Sequence, residues 1–238
     1  GTGGAMAEAY EGCLVRVENV NISNPDVGYG EWEVDDGSGP VVVDNVYDYF
    51  FDQTKYASCQ SITGVMDWSY SARKIRPRLA FDIVEEGPYT RLQRIQQVRQ
   101  SDLIKAGEDQ TSDTSYFDGD TVTVKGIVTM PSGLSYAGAG IKFIFGEPEG
   151  GPWSAILSYN ADSTAYPSLL EGDEIEMTGY IDEYSTGPAN MTEFFITSPI
   201  NILSFGNAIP EPDSIATGDL RWPTTAEQWG NVSVRVEN

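Results

Sequence analysis

The chain has 238 residues, of which 40% are apolar and 11% aromatic, enough to build packed cores and to exclude global disorder. It carries 36 acidic against 14 basic residues, a formal charge of −22, and no histidine. The missing imidazole excludes Ser-His-Asp and Cys-His catalysis and nearly all catalytic zinc sites. The negative field disfavours non-specific binding to phosphate backbones.

Split at residue 110, the formal charge is −8 before and −14 after. Such acidity suits solubility in a salty extracellular medium, or divalent-cation binding. No apolar run approaches the ~18–20 residues of a membrane span, and no signal-peptide pattern is present. With 25 Gly, 13 Pro and no sustained helical period, short strands joined by turns are predicted.

In chain order, residues 1–7 (GTGGAMA) are small, flexible and uncharged and read as a cloning scar, so a fragment of something longer is expected. A first barrel is predicted over residues 8–86. Its opening strand alternates Cys13, Val15 and Val17 against Leu14, Arg16 and Glu18. A hairpin follows, with Asp36-Gly37-Ser38-Gly39 as its turn. Next come an aromatic connector (46–56), the strand ITGVMD (62–67) and a return strand near RKIRPRLAFDIV. Residues 87–113 read as a linker with a short helix, capped by Thr90 and carrying Leu92, Ile95 and Val98 at three-residue spacing.

A second barrel is predicted over 114–206. It opens with TVTVKGIVT and continues through a hairpin turning at GEPEGG. The strand MTGYID (177–182) matches ITGVMD position by position, and a last strand lies near TEFFITSPINIL. The Gly of each paired strand marks a bend where one strand serves two sheets. Residues 207–226 form a Pro-rich connector. Residues 227–238, EQWGNVSVRVEN, repeat EAYEGCLVRVEN (8–19) at an offset of 219 and read as the first strand of a following repeat. The fold class expected is all-β: two tandem five-stranded Greek-key OB barrels joined by a short, partly helical linker.

The pattern YEGCLVRVENV, GEWEVDDGSG and SITGVMDWSYSARKIRPR resembles the OB-fold modules of large secreted or cell-surface bacterial multidomain proteins, and RIQQVRQSD, GDTVTVKGIVT and GGPWSAILSY resemble a second such module. In that group these modules accompany extracellular nuclease or phosphatase domains or precede C-terminal sorting signals. The resemblance therefore implies an extracellular, non-catalytic passenger, and fold-level likeness supplies no activity of its own.

Candidate sites are few. Trp68, Tyr70, Arg73, Lys74 and Arg76 stand where the loop between the last two OB strands is expected, and Trp32 on the second strand extends that surface. Aromatics beside cations suit a single-stranded nucleic acid or a polysaccharide. The competing reading is that local acids neutralise these cations. Asp35, Asp36 and Asp44 on one hairpin are candidate calcium ligands, as are Glu147 and Glu149, although calcium wants about six to eight oxygens and the EF-hand spacing is absent; solvated turns are the alternative. No other cofactor is implied. Cys13 and Cys59, the only cysteines, read either as a disulfide or as two packed thiols. The expected function is a spacer, adhesion or assembly module with no catalytic residues, its partners being neighbouring copies that pair through residues 227–238. The alternative is an accessory module presenting a ligand to an enzyme domain elsewhere.

Overall fold

The computed structural model describes residues 7–45, 51, 53–98, 100–104, 113–185 and 190–236. Residues 1–6 of the segment read as a scar, 46–50 and 52 of the aromatic connector, 99 and 105–112 of the expected linker, 186–189 of the expected second barrel and 237–238 of the tail lie outside them. The chain divides into two units, Gly1–Pro88 and Tyr89–Asn238.

The first unit contains β1 (Leu14–Gly28), β2 (Glu31–Asp35), β3 (Val41–Asp44), β4 (Ser58–Ser69), β5 (Ala72–Arg76) and β6 (Ile83–Glu85). The strands hydrogen-bond in the order β1-β2-β3-β5-β4, and β4 returns to β1, so five strands form a closed ring. Only β3–β5 is parallel within that ring. This is the Greek-key order of an OB barrel. β6, not anticipated as a separate strand, adds to the far part of β4. β4 thus serves three partners, and Gly64 stands where it does so. A Cβ there would lie 2.6 Å from the Arg76 carbonyl, so only a glycine lets the two backbones approach.

The second unit repeats the plan with β7 (Thr121–Met130), β8 (Ile141–Gly146), β9 (Ala155–Asn160), β10 (Glu174–Ser185), β11 (Asn190–Ile196) and β12 (Asn201–Ser204). The ring runs β7-β8-β9-β11-β10 and back to β7, with β9–β11 parallel, and β12 adds to β10 as β6 adds to β4. Gly179 in β10 occupies the place of Gly64.

The stretch assigned to the linker belongs in good part to the second barrel. Leu92 and Ile95, on the short helix α1 (Leu92–Gln96), are fully buried in its core, and Val98 is buried as well. Thr90 is not the cap: its N–H donates to the Thr123 carbonyl, which ties it to β7, and Arg91 occupies the cap position. The Glu147 carboxylate accepts the Gln93 N–H and pairs with Arg91 at 2.9 Å. This places Glu147 in a buried structural role rather than in a calcium loop. A second short helix, α2 (Gln100–Leu103), follows.

Beyond β12, the Pro-rich connector is not featureless. It contains β13 (Asp213–Ile215) and leads into α3 (Pro223–Ala226), a 3-10 turn (Glu227–Trp229) and β14 (Val234–Val236). β14 runs parallel to β13 of the same chain. The edge that a lone strand requires is thus supplied within the chain by the connector itself, where a neighbouring chain was the expected partner. No helix among the described residues is long and apolar enough to cross a membrane.

Candidate functional site

The cations predicted to bind a ligand lie on β5, which is sandwiched between β3 and β4. The ladders place Lys74 beside Val42 and Asp67, and Arg76 beside Val65, while Glu31 of β2 faces Asp44 of β3. Alternation then sends one row of side chains to a common face. The Lys74 ammonium contacts the Glu31 carboxylate and lies 3.8 Å from Asp44. Arg76 bridges Asp44 at 3.2 Å and Asp67 at 2.9 Å. Arg73 has the opposite parity and pairs with Glu8 at 2.6 Å and Glu11 at 3.5 Å. Three cations therefore face five carboxylates, and the side chains of Arg73 and Lys74 are only 9% and 3% exposed. The cluster is a neutralised layer that offers little to a polyanion.

The aromatics of the cluster are freer. Tyr70 and Ser71 both have positive φ, 51° and 63°, and join the Ser69–Ala72 pair of β4 and β5. This is the primed two-residue hairpin turn, rarely made without glycine or asparagine. It presents Tyr70 fully to solvent, with Trp68 about half exposed. The Arg73 guanidinium stacks over the Trp68 ring at 5.0 Å, and the Lys74 ammonium lies 5.4 Å from the Tyr70 ring centre.

Trp32 does not extend this surface. β2 alternates with Trp32 and Val34 inward, and Trp32 is completely buried, stacked on Phe51 at 5.4 Å. The carboxylates proposed for calcium are also separated. Asp35 accepts the N–H groups of Gly37 and Gly39, and Asp36 accepts the N–H and hydroxyl of Ser38. Those Ser38 bonds hold the Asp36 carboxyl below its ordinary pKa. Asp44 lies at the opposite end of the hairpin, where it pairs with Arg76. Cys13 and Cys59 are both free. β1 and β4 are neighbours but antiparallel, so Cys59 faces Val20 while Cys13 sits at the other end of the ladder, where its carbonyl accepts the Met66 N–H. Burial, with Glu85 and Glu86 nearby, pushes the Cys59 thiol up to about 12.

One cluster gave no sequence signal, because its members come from segments far apart in the chain. Glu183 of β10 accepts the Ser115 N–H at 2.8 Å and the Thr192 hydroxyl at 2.9 Å, and Asn190 donates to its other oxygen at 3.1 Å. Burial, reinforced by Asp118 and Asp113, pushes its carboxyl up to about 7 against the lowering effect of those bonds. Glu227, in the turn before β14, is pushed up to about 7 by burial and by Asp113 and Glu183. The Trp153 N–H donates to the Gln228 carbonyl at 2.7 Å. The C-terminal segment is thus seated on the second barrel through a turn whose carboxyl, raised to about 7, is about half protonated at neutral pH.

The terminal echo is structural as well as sequential. At the start, a 3-10 turn (Ala7–Tyr10) is followed by bonds from Glu11 N–H to Glu8 carbonyl (3.3 Å) and from Cys13 N–H to Tyr10 carbonyl (2.9 Å). At the end, the bonds run from Gly230 N–H to Glu227 carbonyl (3.0 Å) and from Val232 N–H to Trp229 carbonyl (3.2 Å). All four positions correspond at the offset of 219. Between them, Gly12 has φ 77° and its counterpart Asn231 has φ 62°. A strand follows in both cases.

No protein family model and no curated protein matches the sequence. Among solved structures the chain is similar to an OBody, AM1L10, bound to hen egg-white lysozyme, with 20% identity, covering 38% of this chain and 84% of that one, at a TM-score of 0.29. It is also similar to p202 HIN1 in complex with 12-mer dsDNA (12% identity, 81% and 92% covered, TM-score 0.27). A third is the wild-type single-stranded DNA binding protein from Thermus aquaticus (11% identity, 83% and 96% covered, TM-score 0.26). These likenesses are distant, and the barrel assignment rests on the closed strand order of each unit.

Proposed function

We propose that the chain is a non-catalytic assembly module: a pair of OB barrels from a repeated array in a secreted or surface-attached protein. The observation that carries this reading is the second copy, at residues 227–236, of the turn, left-handed residue and strand that open the first barrel. The strong acidity and the absence of histidine agree with it. So does the use of the β5 cations in internal ion pairs. Incubation with nucleic acids, phosphate esters and glycans is expected to give no turnover. Hydrolysis that survives repurification and is lost with a single carboxylate substitution would overturn the reading.

The exposed pair Trp68 and Tyr70 favours a second reading, an accessory module that stacks sugar rings or unpaired bases. Binding to polysaccharide or single-stranded oligonucleotide that is lost in both Trp68→Ala and Arg76→Ala would favour it over the first. Steep weakening with salt would assign the ligand to the polyanions.

A further inference from the structure

Strand β1 uses both of its edges over only part of its length. Leu14–Asn21 pairs with β4, whereas β2 joins only from Asn21 onward. Over Leu14–Glu18 the second edge therefore carries no strand among the described residues, and Leu14, Arg16 and Glu18 are exposed. Backbone groups in an antiparallel strand point alternately to the two edges. The Cys13 carbonyl accepts the Met66 N–H of β4, so the N–H and C=O groups of Leu14, Arg16 and Glu18 face the open side.

The other end of the chain shows what such an edge accepts. Val234–Val236 of β14 correspond to Val15–Val17 at the offset of 219, and they pair in parallel with Asp213–Ile215 of β13. The Asp213 N–H donates to the Ser233 carbonyl at 3.2 Å. Ser233 is the counterpart of Leu14, so β13 sits on the edge that β1 leaves open. The edge that β1 gives to β4 is the other one, and a β13 strand and a β4 strand can flank the same β1 without competing. Charge agrees as well. Arg235 lies 3.9 Å from Glu211 across the β13–β14 pair, and its counterpart Arg16 lies exposed on β1, paired among the described residues with the equally exposed Glu18 beside it.

We propose that the open edge of β1 over Leu14–Glu18 is a docking site for residues 210–216 of a second copy of this chain, the copy that precedes it in the array, so that β1 takes against that copy's β13 the place that β14 takes here. The pairing is parallel, with Asp213 beside Val15, Ser214 beside Arg16 and Ile215 beside Val17, and Glu211 reaching Arg16. It is strand addition, and it specifies the joint of the array on which the proposed function rests. Three residues of ladder give a weak contact, so the joint depends on the high effective concentration that a tandem arrangement supplies.

The test is amide hydrogen exchange on the full chain titrated with a synthetic peptide of residues 207–219. Arg16, whose N–H faces the open edge, is expected to exchange about tenfold more slowly at saturation. Val15 and Val17, already bonded to β4, are unchanged and report that the barrel is intact. A peptide carrying Ile215→Pro lacks a ladder donor and is expected to give no protection, a control that leaves the protein untouched. The proposal is overturned by unchanged exchange at Arg16 at millimolar peptide, by protection confined to Arg235, or by equal protection from the Ile215→Pro peptide. If the joint fails while turnover and ligand binding are also absent, the array reading stands without it. Catalysis or ligand binding beside a working joint would overturn only the non-catalytic part.

Discussion

Lys74 is the residue on which the face of the first barrel depends. Its side chain is 3% exposed, and the carboxylates of Glu31 and Asp44 beside it are 19% and 10% exposed. Such a network is costly to half-dismantle, because removing one partner leaves the other charge buried. Lys74→Ala is expected to destabilise the first barrel by about 3–5 kcal/mol, read as a shift in its urea midpoint, whereas Arg16→Ala on the exposed edge should change it by less than about 0.5 kcal/mol. Equal effects would mean that the layer contributes nothing to stability. The two cysteines differ in the same way. Cys13 is exposed, while the Cys59 thiol is buried and raised to about 12, so little of it is the reactive thiolate at neutral pH. A thiol reagent is expected to modify Cys13 alone in the native protein and both cysteines after denaturation.

At the scale of elements, two devices stand out: the glycine-centred strands β4 and β10, and the C-terminal segment held by Glu227. A Cβ on Gly179 would lie 2.3 Å from the Phe195 carbonyl oxygen and 2.5 Å from the Phe194 ring. Gly179→Ala is therefore expected to destabilise the second barrel by about 1–3 kcal/mol. The segment responds to pH instead. The Glu183 and Glu227 carboxyls are raised from 4.5 to about 7, chiefly by burial, with Asp113 and Asp118 acting on Glu183 and Asp113 and Glu183 acting on Glu227. The docked state thus holds a proton on Glu227 that the released segment gives up between those values. Docking is fully favoured below about pH 4.5 and weakens as pH rises through 7. Exchange of the Arg235 amide, measured from pH 5 to 8 and corrected for its intrinsic rate, should report this loss. Glu227→Gln is expected to flatten the profile and to slow exchange at pH 8. An unchanged slope in that variant would exclude Glu227 as the group behind the pH dependence.

For the molecule as a whole, the duplicated barrel was legible in the sequence because ITGVMD and MTGYID combine a period of two with a glycine at one register. That combination marks a bent strand shared between neighbours. What the sequence could not convey was direction and parity. Neighbouring strands do not place Cys13 near Cys59 when they run antiparallel, and alternation alone does not say whether Trp32 or Glu33 faces inward. The β13–β14 pair is three residues long, too short to leave a periodic trace. The electrostatic influence of Glu183 on Glu227 links a barrel strand to the tail, so no spacing signals it. The same duplication sets the stability of the whole. Each unit closes its own ring around its own core, with eight buried side chains in the first cluster and sixteen in the second among the described residues. Buried apolar area is the main favourable term, at about 25 cal/mol per Å², so the smaller core is expected to melt first. Scanning calorimetry should resolve two transitions. Lys74→Ala would lower only the first and Gly179→Ala only the second, because sites without shared partners add independently. A single transition displaced by both substitutions would show instead that the barrels unfold as one cooperative body.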